Sequence, residues 1–207
     1  MASLARRVGR IAPDNTVLLL CDLQERFASI IHQFPSCVAS AKMLFQATQS
    51  LGMPTVVTEQ YPKAFKRTVP ELLTLVEGAD KGAPVAVVEK TRFSMCVPEV
   101  DAFLAEHGAK AAILVGIETH VCVLQTSMDL IERGYDVHVV ADGVSSQRES
   151  DRAVALTRLR DMGAHLTTTE SVLLQLLGDS KHPKFKETSK FLKEFNADPA
   201  RSKLSYL

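Results

Sequence analysis

Runs of residues that favour β-structure and are mostly apolar, without strict alternation, recur along this chain. Each is followed by a stretch with helical spacing. The runs are Thr16–Cys21, Pro54–Thr58, Val85–Val88, Ala111–Val115 and Val137–Val140, with a shorter one at His165–Thr167. Helical patterns fill the intervals: 24–51, 69–76, 98–107, 120–133, 149–162 and 171–177, several closed by a glycine such as Gly52, Gly108, Gly134 or Gly163. A strand that is apolar on both faces must be covered on both faces, and alternation with helices supplies the covers. The expected fold is α/β: a single-domain, doubly wound, three-layer α/β/α sandwich around a mainly parallel six-stranded sheet.

The 207 residues suit one domain, and 46% hydrophobic with 23% charged residues is the profile of a globular chain. Expected boundaries are an N-terminal extension over 1–15, the main α/β domain over 16–178, and a C-terminal helix and tail over 179–207. The tail carries Lys181, Lys184, Lys186, Lys190 and Lys193; it reads as a solvated helix face, with a basic docking surface as the alternative. Over the whole chain 24 basic side chains balance 24 acidic ones, so charge gives no reason to expect nucleic acid or an anionic membrane as partner. Cys21, Cys37, Cys96 and Cys122 are too scattered for a disulfide framework and form no C-x-x-C pair. No apolar run reaches the roughly 20 residues of a membrane span. A cytoplasmic location is expected. Arg6, Arg7 and Arg10 echo a mitochondrial transit peptide, but a strand starting by Thr16 leaves little to cleave.

Open parallel sheets bind ligands beyond the carboxyl ends of their strands, and this rule filters the reactive residues. Asp22 follows the first run, Lys90 the third, and Cys122 lies just past the fourth. Thr119 is placed to cap the helix there, which puts Cys122 in its first turn, where backbone N–H groups and the helix dipole favour an anion. Lys90 would add a positive charge, and Asp22 would take the thiol proton and return it to a leaving amine. Alone, each has a plainer reading: a core cysteine, a turn-forming aspartate, a surface lysine.

The stretches Val17-Leu-Leu-Leu-Cys-Asp-Leu-Gln24, Glu89-Lys-Thr-Arg-Phe-Ser94 and Gly116-Ile-Glu-Thr-His-Val-Cys-Val123 resemble, in order, the three motifs of the isochorismatase-like cysteine hydrolases. Thr58-Glu-Gln-Tyr-Pro62 and Thr68-Val-Pro-Glu-Leu72 are similar to the isochorismatase domain-containing subgroup. The resemblance runs from about Thr16 to Leu177. It implies a Rossmann-like fold, Asp22 as general base, Lys90 as stabiliser and Cys122 as nucleophile. It also implies a cis peptide at Ile117–Glu118, with the N–H groups of Glu118 and Cys122 as oxyanion hole, and a homodimer or larger homo-oligomer.

Metal-binding nicotinamidases of that family carry histidines after the second strand, where this chain has Glu59-Gln60-Tyr61. No metal and no other cofactor is therefore expected, and nicotinamide is a poor substrate guess. Phe27, Tyr61, Phe93, Thr119 and His120 lie beside the motifs and are candidate walls for a small-molecule site, although an aromatic near a strand end is more often core. Strand alternation points Cys21 away from Asp22 and makes it inert. The expected activity is hydrolysis of a small amide or related C–N bond through a thioester at Cys122. The alternatives are vinyl-ether hydrolysis, which does not need the thiol, a catalytically weak scaffold, and a redox-reactive thiol protein with Cys96 as the cysteine that approaches Cys122.

Overall fold

Alternation along the first strand decides how the layers assemble. In the computed structural model, which describes residues 8–79 and 83–201, β1 (Thr16–Cys21) is buried at every position. Leu18 and Leu20 enter one core; Val17, Leu19 and Cys21 enter the other. Each such fully buried leucine or valine contributes about 1.5–3 kcal/mol relative to exposure, so both faces of the sheet are strongly driven to be covered.

The chain continues through α1 (Phe34–Ser50), β2 (Thr55–Gln60), a one-turn α2 (Pro62–Phe65), α3 (Pro70–Glu77) and β3 (Val85–Lys90). Then come α4 (Pro98–Glu106), β4 (Ala111–Ile117), α5 (Leu124–Glu132), β5 (Asp136–Ser145), α6 (Glu149–Asp161), β6 (His165–Thr167), α7 (Thr169–Leu177) and α8 (Phe185–Ala197). The sheet is parallel throughout, in the order β3-β2-β1-β4-β5-β6. The chain builds outward from β1 to β3, returns to β4, and builds outward again. The order therefore reverses between β1 and β4, and the crevice at their carboxyl ends is the place such sheets offer a ligand.

Several expected elements shift. The helix expected over 24–51 starts only at Phe34. Before it, Gln24 bridges to Thr68, Glu25–Phe27 forms a single 3-10 turn, and Gln33 takes a left-handed φ of 49°. Strand β5 runs to Ser145, well past Val140, although Asp142-Gly143 has the look of a turn. Gly143 is needed there because α1 packs close: a Cβ would lie 2.4 Å from Ser40 Oγ. The short helix α2 carries no strong sequence signal. The C-terminal helix α8 lays Phe195 and Thr188 into the structure beside α1. Arg6, Arg7 and the tail beyond 201 lie outside the described residues. Among the described residues, no helix is long and apolar enough to cross a membrane.

Candidate active site

Asp22 is the first residue past β1, and it leaves the strand with a φ of 52°. That left-handed step breaks the strand's alternation and swings the carboxylate under the ends of β2 and β3. Oδ2 accepts from Lys90 Nζ at 2.7 Å, and Oδ1 accepts from Thr58 Oγ1 at 2.7 Å. Both ions are buried. Lys90, the last residue of β3, also donates to Gln60 Oε1 at 2.7 Å and faces the carbonyl oxygens of Phe93 and Arg92 at 3.0 and 3.2 Å. The ammonium thus has an oxygen for every proton, which a buried charge requires.

Burial pushes the Asp22 carboxyl above its ordinary range, and the Lys90 ammonium and the Thr58 hydroxyl reverse only part of that push. For Lys90, burial acts downward, but the negative potential of Cys21, Asp22 and Cys122 outweighs it and holds the ammonium above the usual lysine value. Asp22 is thus a carboxylate with raised basicity beside a fixed cation, which suits a group that must take and return a proton.

Cys122 lies on a π-helical turn, Thr119–Val123, that joins β4 to α5. Such turns are rare and often mark functional positions. The expectation that Thr119 caps an α-helix there is corrected: Glu118 precedes the turn, and the Thr119 hydroxyl is buried without a partner. Thr126 Oγ1 donates to Cys122 O at 2.6 Å and accepts from Met95 N at 2.8 Å, so the turn is tied to the segment after β3. The Ile117–Glu118 peptide is cis. Just before it, Gly116 has a φ of 122°, and a Cβ there would lie 2.1 Å from Cys21 O, so only glycine allows this approach of β4 to the end of β1.

Asp22, Cys122 and Glu118 share a cavity of about 140 Å³, walled by Phe27, Phe65, Phe93, Ile117, Val121 and Gln60. Phe27 stacks on Phe65 with ring centroids 4.7 Å apart. Broader depressions lie over α6 and beside β6, far from this chemistry. Among the expected wall residues, Phe27 and Phe93 line the cavity and Tyr61, Thr119 and His120 do not. Tyr61 is half exposed, and His120 Nδ1 is 2.9 Å from Ser146 Oγ. Glu118 sits on the rim with Oε2 accepting from Gln147 N at 2.8 Å.

Cys21 is a second correction. Because Asp22 departs from the strand's alternation, the Cys21 thiol meets its carboxylate: Sγ donates to Oδ2 at 3.5 Å. The sulfurs of Cys21 and Cys122 and a carboxylate oxygen of Asp22 all lie within 4.8 Å of one another. Those three atoms have metal-ligand character, yet Asp22 Oδ2 already holds the Lys90 ammonium at 2.7 Å, and a cation placed there would be repelled by it. Cys96, the other cysteine considered as a neighbour for Cys122, is not part of this cluster, and its backbone N–H donates to Ser94 Oγ at 3.1 Å.

Sequence reasoning missed Thr58, Gln60 and Gln24. Gln60 Nε2 donates to Thr91 O at 2.8 Å, which fixes its Oε1 on Lys90. The loop after β2, empty of histidines, has other work. Glu59 is buried and accepts from Thr68 N at 2.8 Å, from Thr68 Oγ1 at 2.9 Å and from Arg67 Nε at 3.1 Å, which pins the segment beyond α2 to the strand. The strand-end filter applied to β2 would have found Thr58 and Gln60.

The family model for the isochorismatase domain matches residues 16–171. The chain is 49% identical over 195 residues to isochorismatase domain-containing protein 2 of Xenopus laevis, covering 94% of this chain and 91% of that one. It is 46% identical over 187 residues to isochorismatase domain-containing protein 1 of Danio rerio, covering 90% of this chain and 64% of that longer one. Among solved structures it is similar to the MAR1 ribonuclease of Caenorhabditis elegans, with a TM-score of 0.84 and 46% identity over 96% of this chain and all of that one.

Proposed function

Since this chain belongs to the isochorismatase family, we propose that it is a cysteine hydrolase that cleaves a small amide or related C–N bond. The meeting of Asp22 and Cys122 in one cavity, with the buried Lys90 ammonium held against Asp22, supports the reading. Asp22 takes the Cys122 proton, and the sulfur attacks the acyl carbon of the bound amide. The N–H groups of Glu118 and Cys122 receive the oxyanion, and Asp22 returns the proton to the departing amine. Water then enters, gives a proton to Asp22 and releases the acid from the thioester. Lys90 stays charged throughout and holds Asp22 in place.

The cavity argues for the substrate's size. About 140 Å³ walled by three phenylalanines admits a small, flat, largely apolar acyl group rather than a polymer. A polyanion fits poorly, because the chain has no net charge and the rim carries Glu118. Association into homo-oligomers is part of the same proposal.

The test is a panel of small amides and ureides assayed by released ammonia, with the acyl-enzyme sought by intact mass. A wild-type protein that turns over and carries an acyl group on Cys122, with Cys122→Ala inactive, is the expected result. Turnover that survives Cys122→Ala unchanged would overturn it and move the chemistry to protonation by Asp22, as in vinyl-ether hydrolysis. Tight binding without turnover would make the chain a scaffold.

A further inference from the structure

The hydrolysis uses Cys122 and leaves Cys21 without a task, although the two sulfurs lie within 4.8 Å of each other beside one carboxylate. Their surroundings differ. Cys122 is 7% exposed and lines the cavity, whereas Cys21 is fully buried behind it at the end of β1. A small solute entering the cavity therefore meets Cys122 first. We propose that Cys21 and Cys122 form an oxidation couple: hydrogen peroxide or a small hydroperoxide oxidises Cys122, and Cys21 closes a disulfide with it.

The chemistry balances in two steps. The Cys122 sulfur attacks the terminal peroxide oxygen; the S–O bond forms, the O–O bond breaks, and the second oxygen takes the thiol proton and leaves as water, or as the alcohol when a hydroperoxide is the oxidant. Sulfur has lost two electrons to the peroxide and stands as a sulfenic acid. The Cys21 thiol then gives its proton to Asp22, to which it is already hydrogen-bonded, and its sulfur attacks that of Cys122. The S–S bond forms, the S–O bond breaks, and the hydroxide leaves as water with the proton from Asp22. The sulfurs lie within 4.8 Å and must close to about 2 Å, a movement of under about 3 Å.

The environment separates the roles. Burial first, then the hydrogen bond to Cys122 and the charge of Asp22, push the Cys21 thiol well up. It stays protonated toward the oxidant and becomes a nucleophile only when Asp22 takes its proton. Asp22 thus serves both chemistries, and the disulfide removes the nucleophile of the hydrolysis until a dithiol restores it. Among the described residues, the cluster around Asp22 and Cys122 takes in Cys21 and neither Cys37 nor Cys96.

The experiment reads sulfur rather than turnover, so it stands or falls apart from the hydrolase reading. Wild-type protein is exposed to a modest excess of hydrogen peroxide and mapped by mass without reduction. The expected product is two hydrogens lighter, retains no oxygen, joins the peptides of Cys21 and Cys122, and returns to the starting mass with dithiothreitol. In Cys21→Ala, Cys122 instead gains two and then three oxygens several-fold faster than in wild type, and dithiothreitol does not reverse it. Oxygens accumulating on wild-type Cys122 with no joined peptide, or a joined peptide through Cys37 or Cys96, would overturn the proposal. Should Cys21→Ala fail to fold, the wild-type map decides alone.

Discussion

The Gln24 side chain is hydrogen-bonded to both backbone groups of Gln60: its Oε1 accepts from Gln60 N at 2.7 Å and its Nε2 donates to Gln60 O at 3.0 Å. The same Nε2 reaches Lys66 O at 2.7 Å. One amide thereby completes the last pairing of β2 and holds the loop that carries Phe65. Since Gln60 Oε1 receives Lys90, the chain of contacts runs from Gln24 through Gln60 to the ammonium beside Asp22.

Replacing Gln24 by leucine should therefore harm stability and site together. Buried backbone groups left without partners cost about 1–3 kcal/mol each. Gln24→Leu should lower the urea midpoint by an amount equivalent to about 2–4 kcal/mol, and any turnover should fall with Asp22 and Cys122 untouched. A midpoint unchanged in urea unfolding would mean that water replaces the amide at Gln60.

The Lys90–Asp22 pair predicts a different pattern. Lys90→Met removes one member of a buried pair and strands the other, which typically costs about 3–5 kcal/mol. Burial already pushes Asp22 up; without the ammonium the carboxyl goes higher still and keeps its proton toward neutral pH. As a base it is then lost, and turnover should drop by at least about 100-fold. Lys90→Arg should not rescue it, because the side chain is wholly buried and a guanidinium has no room. Steady-state rates alongside unfolding curves test both halves; a Lys90→Met enzyme near wild-type activity would remove Lys90 from the mechanism.

How much of this was legible in the sequence depends on which interactions are local. The parallel sheet was readable because Val17–Leu20 and Ala111–Val115 are apolar on both faces, and that pattern has few other solutions. That Asp22, Lys90 and Cys122 would lie near one another was readable because the topology itself delivers strand ends to one crevice. Cys21 was misread because alternation was carried one residue too far. The left-handed step at Asp22 ends it, and a single non-glycine φ of that kind has no sequence mark. Gln24, Thr58 and Gln60 were missed because their roles are partnerships across 30 or more residues. The π-helical turn at Thr119 was missed because its residues read equally well as an ordinary first helical turn.

Thiol reactivity gives a third prediction that needs no substrate. Burial pushes the Cys37 thiol up to about 12 and the Cys96 thiol up to about 11, and it pushes Cys21 up as well. These three are fully or almost fully shielded from solvent. Iodoacetamide at mildly alkaline pH should therefore label Cys122 first, through the cavity it lines. Peptide mapping over a time course checks the order, and earlier labelling of any other cysteine would contradict the geometry.

The final prediction concerns the opposite part of the sheet, where His138 on β5 is 2% exposed and stacks on His165 with centroids 4.8 Å apart. Its Nε2 has no partner. Burial first, and the charge of His165 second, push the imidazole down from 6.5 to about 4, with Asp136 pulling weakly the other way. The folded value lies below the unfolded one, so between them the unfolded chain binds a proton that the folded chain refuses. The neutral ring's contribution is fully present above about 6.5 and is lost as pH falls toward about 4, with a slope of up to about 1.4 kcal/mol per pH unit and a total of about 3 kcal/mol. His138→Phe keeps a ring to stack on His165 and has no proton to bind. Urea midpoints measured from pH 7 down to pH 4 should therefore fall more steeply for wild type than for His138→Phe, so that the difference between the two proteins shifts against wild type as the pH drops. Titrating groups remote from the His138–His165 stack act equally in both proteins and cancel in the difference. Parallel curves across that window would show that His138 takes up its proton as readily in the fold as outside it.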